Sequence, residues 1–201
     1  MIAVIDYDAG NIKSVEKALI SLGADVTITR DPETILSAEH VVLPGVGAFG
    51  DAMKKLNEYA LVDVISEVVK RKTPFLGICL GYQLMFEESE ESPGVKGLGI
   101  FKGNCRKFPE DKGLKVPQIG WNSLSFPKAS RIFKGLNDGE FVYFVHSFYV
   151  TAKEEEIVSA KSDYVLEFHA ACESENIAGC QFHPEKSSST GLKILKNFLE
   201  F

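Results

Sequence analysis

The sequence predicts a three-layer α/β fold, with a mostly parallel central sheet, helices on both faces and antiparallel hairpins appended, as one domain over residues 1–201. Two observations carry this. In the first half, short β-branched apolar runs alternate with amphipathic helical patterns. From about Gly97 the apolar runs shorten and turn signals crowd in.

Ile2–Asp6 reads as the first strand, and Asn11 as the cap of a helix reaching about Leu22. Asp25–Thr29 is a second strand. Asp31-Pro32-Glu33 opens a short helix, with proline at the first position where its missing N–H is harmless. His40–Leu43 is a third strand. A longer helical region follows, with Met53, Leu56, Leu61, Val64, Ile65 and Val68 spaced close to three and four. It ends in Lys70-Arg71-Lys72, cations suited to a helix C-terminus. Pro74–Ile78 is a fourth strand, running into a helix at Cys79. Turns are expected at Gly103-Asn104, Pro109–Gly113, Asn137-Asp138-Gly139 and Glu175-Asn176, and a helix over Ser188–Phe201 closes the chain.

A net charge of −6 argues against nucleic acid as a partner. No apolar run reaches the roughly 18 residues of a membrane span, and the N-terminus enters a core strand directly. The four cysteines show no CxxC spacing and no disulfide framework, although Cys172 and Cys180 fall on the two arms of a hairpin. A reducing, cytoplasmic setting is expected. No metal is expected, because no second His/Cys cluster joins His183 and Glu185 at ligand spacing; no cofactor is expected either.

Two segments carry chemistry. Gly77-Ile78-Cys79-Leu80-Gly81 places a cysteine between glycines at a strand-to-helix turn, a thiol version of the nucleophile elbow G-x-S-x-G. A helix N-terminus and a nearby imidazolium both favour thiolate there, and the Leu80 N–H would help bind an oxyanion. Phe182-His183-Pro184-Glu185 supplies a base and a carboxylate to orient it, at the end of a strand where ligands of parallel sheets bind. Cys79, His183 and Glu185 are therefore the candidate catalytic residues. His40 and His169 read as structural. Gly45-Val46-Gly47-Ala48-Phe49-Gly50 formally satisfies G-x-G-x-x-G. It follows the third strand instead of the first, and the next strand ends in Cys79 where a dinucleotide site needs an acid. Beside a nucleophile, such a loop offers backbone amides for an oxyanion hole.

These motifs resemble those of the class I (triad) glutamine amidotransferases. Asp6–Asn11, Pro44–Phe49, Pro117–Asn122, Tyr143–Ser147 and His183–Ser188 are further similar to the glutaminase subunits of imidazole glycerol phosphate synthases, essentially end to end. The resemblance implies hydrolysis of glutamine to glutamate and ammonia through a Cys79 thioester. The ammonia would pass through a (β/α)8-barrel cyclase subunit, which makes imidazole glycerol phosphate and aminoimidazole carboxamide ribotide in histidine biosynthesis. It further implies that Val46 and Gly47 belong to the oxyanion strand, and that Gly47, Gln83, Glu91, His146, Ser147 and Phe148 line the glutamine site. Phe148 stands where related chains often carry tyrosine. Asn11, Trp121, Tyr143 and Lys186 match positions near the cyclase interface. The 45–47 loop is expected to rest with its amide turned away and to be turned inward by partner and nucleotide. Two other readings stay open on sequence: the glutaminase of an anthranilate or aminodeoxychorismate type synthase, which usually lacks the Gly-Trp-Asn and Lys-Ser-Ser continuations, and a silent docking module.

Overall fold

Ile2–Ile5 forms β1, apolar at every position and buried throughout, as an interior strand of a parallel sheet must be. The computed structural model describes residues 1–109 and 113–201; residues 110–112 of the expected Pro109–Gly113 turn lie outside the described residues. After β1 come α1 (Ile12–Ser21), β2 (Val26–Thr29), α2 (Pro32–Leu36), β3 (His40–Leu43), α3 (Phe49–Glu58), α4 (Leu61–Lys70), β4 (Phe75–Ile78) and α5 (Leu80–Leu84). The second half adds β5 (Glu88–Ser89), β6 (Gly103–Lys107), β7 (Gln118–Ser123), β8 (Phe141–His146), β9 (Phe148–Ala152), β10 (Val158–Asp163), β11 (Glu167–Ser174), β12 (Ile177–Cys180) and α6 (Ser188–Phe198). The helix opened by Asp31-Pro32 starts as expected, with the Asp31 carboxylate accepting from Thr34 N at 2.8 Å.

The main sheet has the strand order β10-β11-β12-β4-β3-β1-β2. The pairings from β2 to β12 are all parallel, and β11 runs antiparallel to both of its neighbours. Because side chains alternate across a strand, each strand feeds two cores. Ala3, Ile5, Val41, Leu43 and Phe75 face α2 to α5. Ile2, Val4, Val42, Leu76 and Ile78 face α1, α6 and the ribbon residues Val142 and Phe144. Two small sheets complete the fold: β5-β6-β9, and the antiparallel ribbon β7-β8. Among the described residues, no helix is long and apolar enough to cross a membrane.

Several local expectations are corrected. The long helical region is two helices, α3 and α4, broken at Ala60, whose backbone is left-handed (φ 54°). Tertiary contacts fix the break: Tyr59 donates to the Asp8 carboxylate, and the Arg30 guanidinium lies 4.2 Å over its ring. No Gly or Pro signals this in the sequence. Gly103-Asn104 is the start of β6, not a turn, because Gly103 and Asn104 pair with Ala152 and Thr151 of β9. Asn11 sits at the N-cap of α1 but in a left-handed conformation (φ 69°), and its side chain does not cap the helix. Cys172 pairs with Gly179 and Cys180 with Ala171. The two cysteines thus point to opposite faces of the sheet, and both are buried free thiols. The Glu175-Asn176 turn joins β11 to β12 as expected.

Candidate active site

β4 is flanked by β3 and β12, so the C-terminal ends of these three strands share one edge of the sheet. That edge collects the Gly45–Gly47 loop from β3, Cys79 from β4 and His183 from just beyond β12. Crevices at the carboxyl ends of parallel strands are where open α/β sheets bind ligands.

Cys79 has φ 54° and ψ −109°, a backbone conformation that costs a non-glycine residue of order 1–3 kcal/mol. Its surroundings over-determine it. Cys79 N donates to Cys180 O of β12 at 2.8 Å, and Gln83 N donates to Cys79 O at 3.1 Å to start α5. Gly81 lets α5 press against β3: a Cβ there would lie 1.8 Å from Leu43 O. The elbow expected from G-x-C-x-G is thus formed. The helix it opens is only five residues long, so the macrodipole contributes less than the sequence reading supposed, and His183 is the main neighbouring positive charge.

His183 and Glu185 sit on a single 3₁₀ turn, Pro184–Lys186. His183 Nδ1 bonds Glu185 Oε1 at 2.7 Å, with both side chains essentially sealed from solvent. Nε2 has no partner in hydrogen-bond geometry. Burial lowers the His183 pKa, but the adjacent Cys79 sulfur and the bond to Glu185 outweigh it and hold the pKa up at about 9. The imidazole is therefore charged at neutral pH. Removing either member of this buried pair would leave the other uncompensated.

Two residues at this centre were not read as catalytic from sequence. Asn11 Nδ2 donates to Glu185 Oε1 at 2.5 Å and lies 3.4 Å from His183 Nδ1. Its left-handed backbone, which Asn tolerates better than most residues, turns the side chain away from solvent and onto the triad. Gln181 is fully buried; its Nε2 lies 3.8 Å from Cys79 Sγ, and its Oε1 accepts from Gln83 Nε2 at 2.9 Å. Position −2 from the histidine was the available signal for Gln181. A polar residue in the turn between β1 and α1, directly before the helix, was the signal for Asn11.

Above Cys79 opens a cavity of about 370 Å³, lined by Val46, Gly47, Cys79, Leu80, Gln83, Glu91, His146, Ser147 and Phe148 together with Pro117 and Val145. All the residues expected at the glutamine site and oxyanion strand meet there. Some are already committed. Gln83 Nε2 also donates to Phe148 O at 3.0 Å, so only its carbonyl oxygen is left to accept from a ligand. Glu91 Oε2 accepts from Phe49 N at 2.7 Å, leaving its other oxygen for the cavity. Burial pushes the His146 pKa down to about 4, and its ring nitrogens lie 2.8 Å from Phe148 O and 3.0 Å from Gln118 Oε1. It is a wall that holds the β8–β9 corner. The expected oxyanion donor is also engaged: Leu80 N donates to Gly45 O at 3.3 Å.

Trp121 and Tyr143, expected near a partner, are opposite each other in the β7-β8 register and meet edge to face at 6.1 Å. Ile119, Trp121 and Phe141 share this face and are 64%, 51% and 56% exposed, while Val142, Phe144 and His146 of the other face are buried. Lys186 is exposed, one residue beyond Glu185.

Residues 3–201 match the class-I glutamine amidotransferase family, and the chain belongs to that family. Within it, the chain is 50% identical over 199 residues to the imidazole glycerol phosphate synthase subunit HisH of Moorella thermoacetica, covering 99% of this chain and 94% of that one. It is 49% identical over 200 residues to subunit HisH of Caldanaerobacter subterraneus, covering 100% and 98%. In structure it is similar to PurLQS from Thermotoga maritima, with a TM-score of 0.76 at 20% identity over 99% of this chain and 97% of that one. At that identity the likeness to PurLQS shows the fold alone.

The raised pKa of His183 gives a titration that can be read directly. By NMR, its ring should titrate near pH 9 in the wild-type chain, and lower in Cys79→Ala and in Glu185→Gln, each of which removes a raising partner. The sign for stability follows. With the folded value above the ordinary 6.5, the stabilisation from charged His183 is complete below about pH 6.5 and is lost as pH rises through 9. A wild-type midpoint at or below 6.5 would contradict this electrostatic reading.

Proposed function

We propose that this chain is the glutaminase subunit of an imidazole glycerol phosphate synthase, hydrolysing glutamine by a Cys79-His183-Glu185 triad and delivering ammonia to a (β/α)8-barrel cyclase. The observation that carries the mechanism is a positive-φ cysteine lining the cavity, with a sealed His–Glu pair beside its sulfur. The Cys79 thiolate attacks the side-chain carbonyl carbon of glutamine, and the carbonyl oxygen becomes an oxyanion. Charged His183 then gives its Nε2 proton to the amide nitrogen; the C–N bond breaks, and ammonia leaves a thioester on Cys79. Neutral His183 next takes a proton from water as the water attacks, the C–S bond breaks, and glutamate is released. Glu91 suits the substrate ammonium, and Gln83 Oε1 a donor on the substrate. A cytoplasmic setting belongs to the same proposal, since Cys79 must stay a free thiol.

The Leu80–Gly45 bond supports a resting state that is poorly competent. One peptide unit carries both the Gly45 carbonyl and the Val46 N–H. Rotating it would release Leu80 N–H and place the Val46 N–H where the carbonyl stood, so two oxyanion donors would arise from a single movement. Gly47, with φ 111° and nothing within 4 Å of its missing Cβ, is the adjacent joint that can absorb the rotation.

The apolar ribbon face formed by Ile119, Trp121, Phe141 and Tyr143 is proposed as the docking surface, with exposed Lys186 beside it. Aromatic residues on such a patch are the usual anchors of a partner. Val145, which pairs with Ile119 in the ribbon, also lines the cavity, so the patch and the cavity are contiguous and ammonia has a short exit into the interface. Asn11 is proposed to face the same interface while its amide holds Glu185.

In Gly47→Val the side chain meets open space, but φ 111° strains any L residue there, at a cost of order 1–3 kcal/mol; a thermal melt should show a folded, somewhat less stable chain, and steady-state glutamate release should show a loss of about a hundredfold or more of partner-stimulated turnover, the loss typical of a missing oxyanion donor. Cys79→Ala tests the function itself. In complex with the cyclase it should lose glutamine-dependent synthesis and retain synthesis from ammonium salts at high pH. Equal loss of both activities would refute the division of labour.

A further inference from the structure

Ser187 is fully buried, is not part of the cavity above Cys79 and has no place in the chemistry above. Its hydroxyl nevertheless joins two elements. Oγ donates to His183 O at 2.6 Å and accepts from Tyr143 N at 2.9 Å. Tyr143 O in turn accepts from His183 N at 2.9 Å. Both backbone groups of Tyr143 are thus spent on the turn that carries His183 and Glu185. Trp121, its partner across the ribbon, lies on the opposite edge. The same serine accepts Gly191 N at 2.9 Å and donates its own N–H to Pro184 O at 3.1 Å, which anchors the turn to the start of α6. Every other contact in this small circuit is backbone to backbone. Ser187 Oγ is the one link made by a side chain, and therefore the one that a substitution can cut.

We propose that Ser187 is a positioning residue: its hydroxyl clamps the His183 turn to the β8 strand, so that a displacement of the Trp121–Tyr143 face sets where the imidazole stands against Cys79. This rests on the reading of that face as the docking surface. The physical case has three parts. His183 Nε2 makes no hydrogen bond of good geometry, although the Cys79 sulfur is near enough to raise its pKa, so the stance of its turn decides how well it serves the sulfur and the leaving nitrogen. The His183 side chain is sealed and bonded to Glu185, so it moves with its backbone and not by a rotamer change. The backbone of that turn is held to the ribbon by the pair of bonds through Ser187 Oγ and Tyr143 O. Without the hydroxyl, His183 O and Tyr143 N lose their common partner inside the protein, and motion of the ribbon reaches the turn through a single bond. Misplacement of a proton donor by a fraction of an ångström to one ångström is enough to slow chemistry up to about a hundredfold without weakening binding.

The test uses the assembled complex of the full chain with the cyclase subunit and its nucleotide ligand. In Ser187→Ala, stimulated kcat for glutamate release should fall about tenfold to a hundredfold, while KM for glutamine stays within about twofold. Synthesis from ammonium salts by the same preparation should be unchanged, which shows that the cyclase is intact, and co-elution of the two subunits on size-exclusion chromatography shows that they are docked. Ser187→Thr, which keeps the hydroxyl, should recover most of kcat. An unchanged kcat in Ser187→Ala, or a fall in kcat matched by equal loss of ammonia-dependent synthesis, would overturn the proposal. A wild-type chain that the cyclase fails to stimulate would overturn the docking reading instead, so the two failures are told apart.

Discussion

β4 is hydrogen-bonded to β3 on one side and to β12 on the other, and the site depends on that adjacency. The register Leu43↔Gly77 and Cys180↔Ile78 brings the three strand ends level. Cys79 can then hold a positive φ, because its N–H is fixed by Cys180 O and its helix is pressed against Leu43. The strain of that conformation, of order 1–3 kcal/mol, is small beside the burial of Phe75, Leu76 and Ile78 in β4, each worth about 1.5–3 kcal/mol. A sheet that is buried on both faces can carry one strained residue at its edge. Had β12 paired elsewhere, neither the elbow nor the His–Glu turn would have its support.

The polar groups at the centre are arranged as a chain and not as a set of isolated pairs. Glu185 Oε1 serves both His183 and Asn11, Gln181 bridges Gln83 and the Cys79 sulfur, and Ser187 joins His183 to the ribbon. Buried polar networks are stable only when their members are satisfied. Two atoms here are not: His183 Nε2 and Glu185 Oε2 are buried without partners. They lie on the catalytic pair itself, and Leu80 N–H is engaged by a loop carbonyl in the same structure. The Leu80–Gly45 contact supports the proposed resting state, in which hydrolysis of glutamine is withheld until the ammonia has somewhere to go.

Much of this was legible in the sequence because it rests on local rules. The β3 bounds, the Asp31-Pro32 helix start, the elbow glycines and the His-Pro-Glu turn all follow from propensity, capping and spacing. What was not legible depends on contacts between distant segments. Ala60 breaks the helical region because Tyr59 is held by Asp8 and Arg30, residues far away in sequence. Gly103 enters a strand because β9 pairs with it. Asn11 was read as a cap and an interface residue because nothing local says that its side chain reaches a carboxylate 174 residues further along the chain. The pocket residues were named by resemblance, and the structure adds which of their polar groups are already occupied. The docking face was legible only in part: Trp121 and Tyr143 were singled out, whereas the exposed Ile119 and Phe141 emerge from the alternation of the ribbon.

The claim that a resting glutaminase is opened by its partner is tested most directly by glutamate release from glutamine, measured for the purified chain alone and then with the cyclase subunit and its nucleotide ligand. The closed Leu80–Gly45 contact predicts near-silence alone and a rise of about a hundredfold or more in the ternary mixture, the scale of a restored oxyanion donor. Turnover that is already fast in the isolated chain, and unchanged on adding the partner, would contradict it.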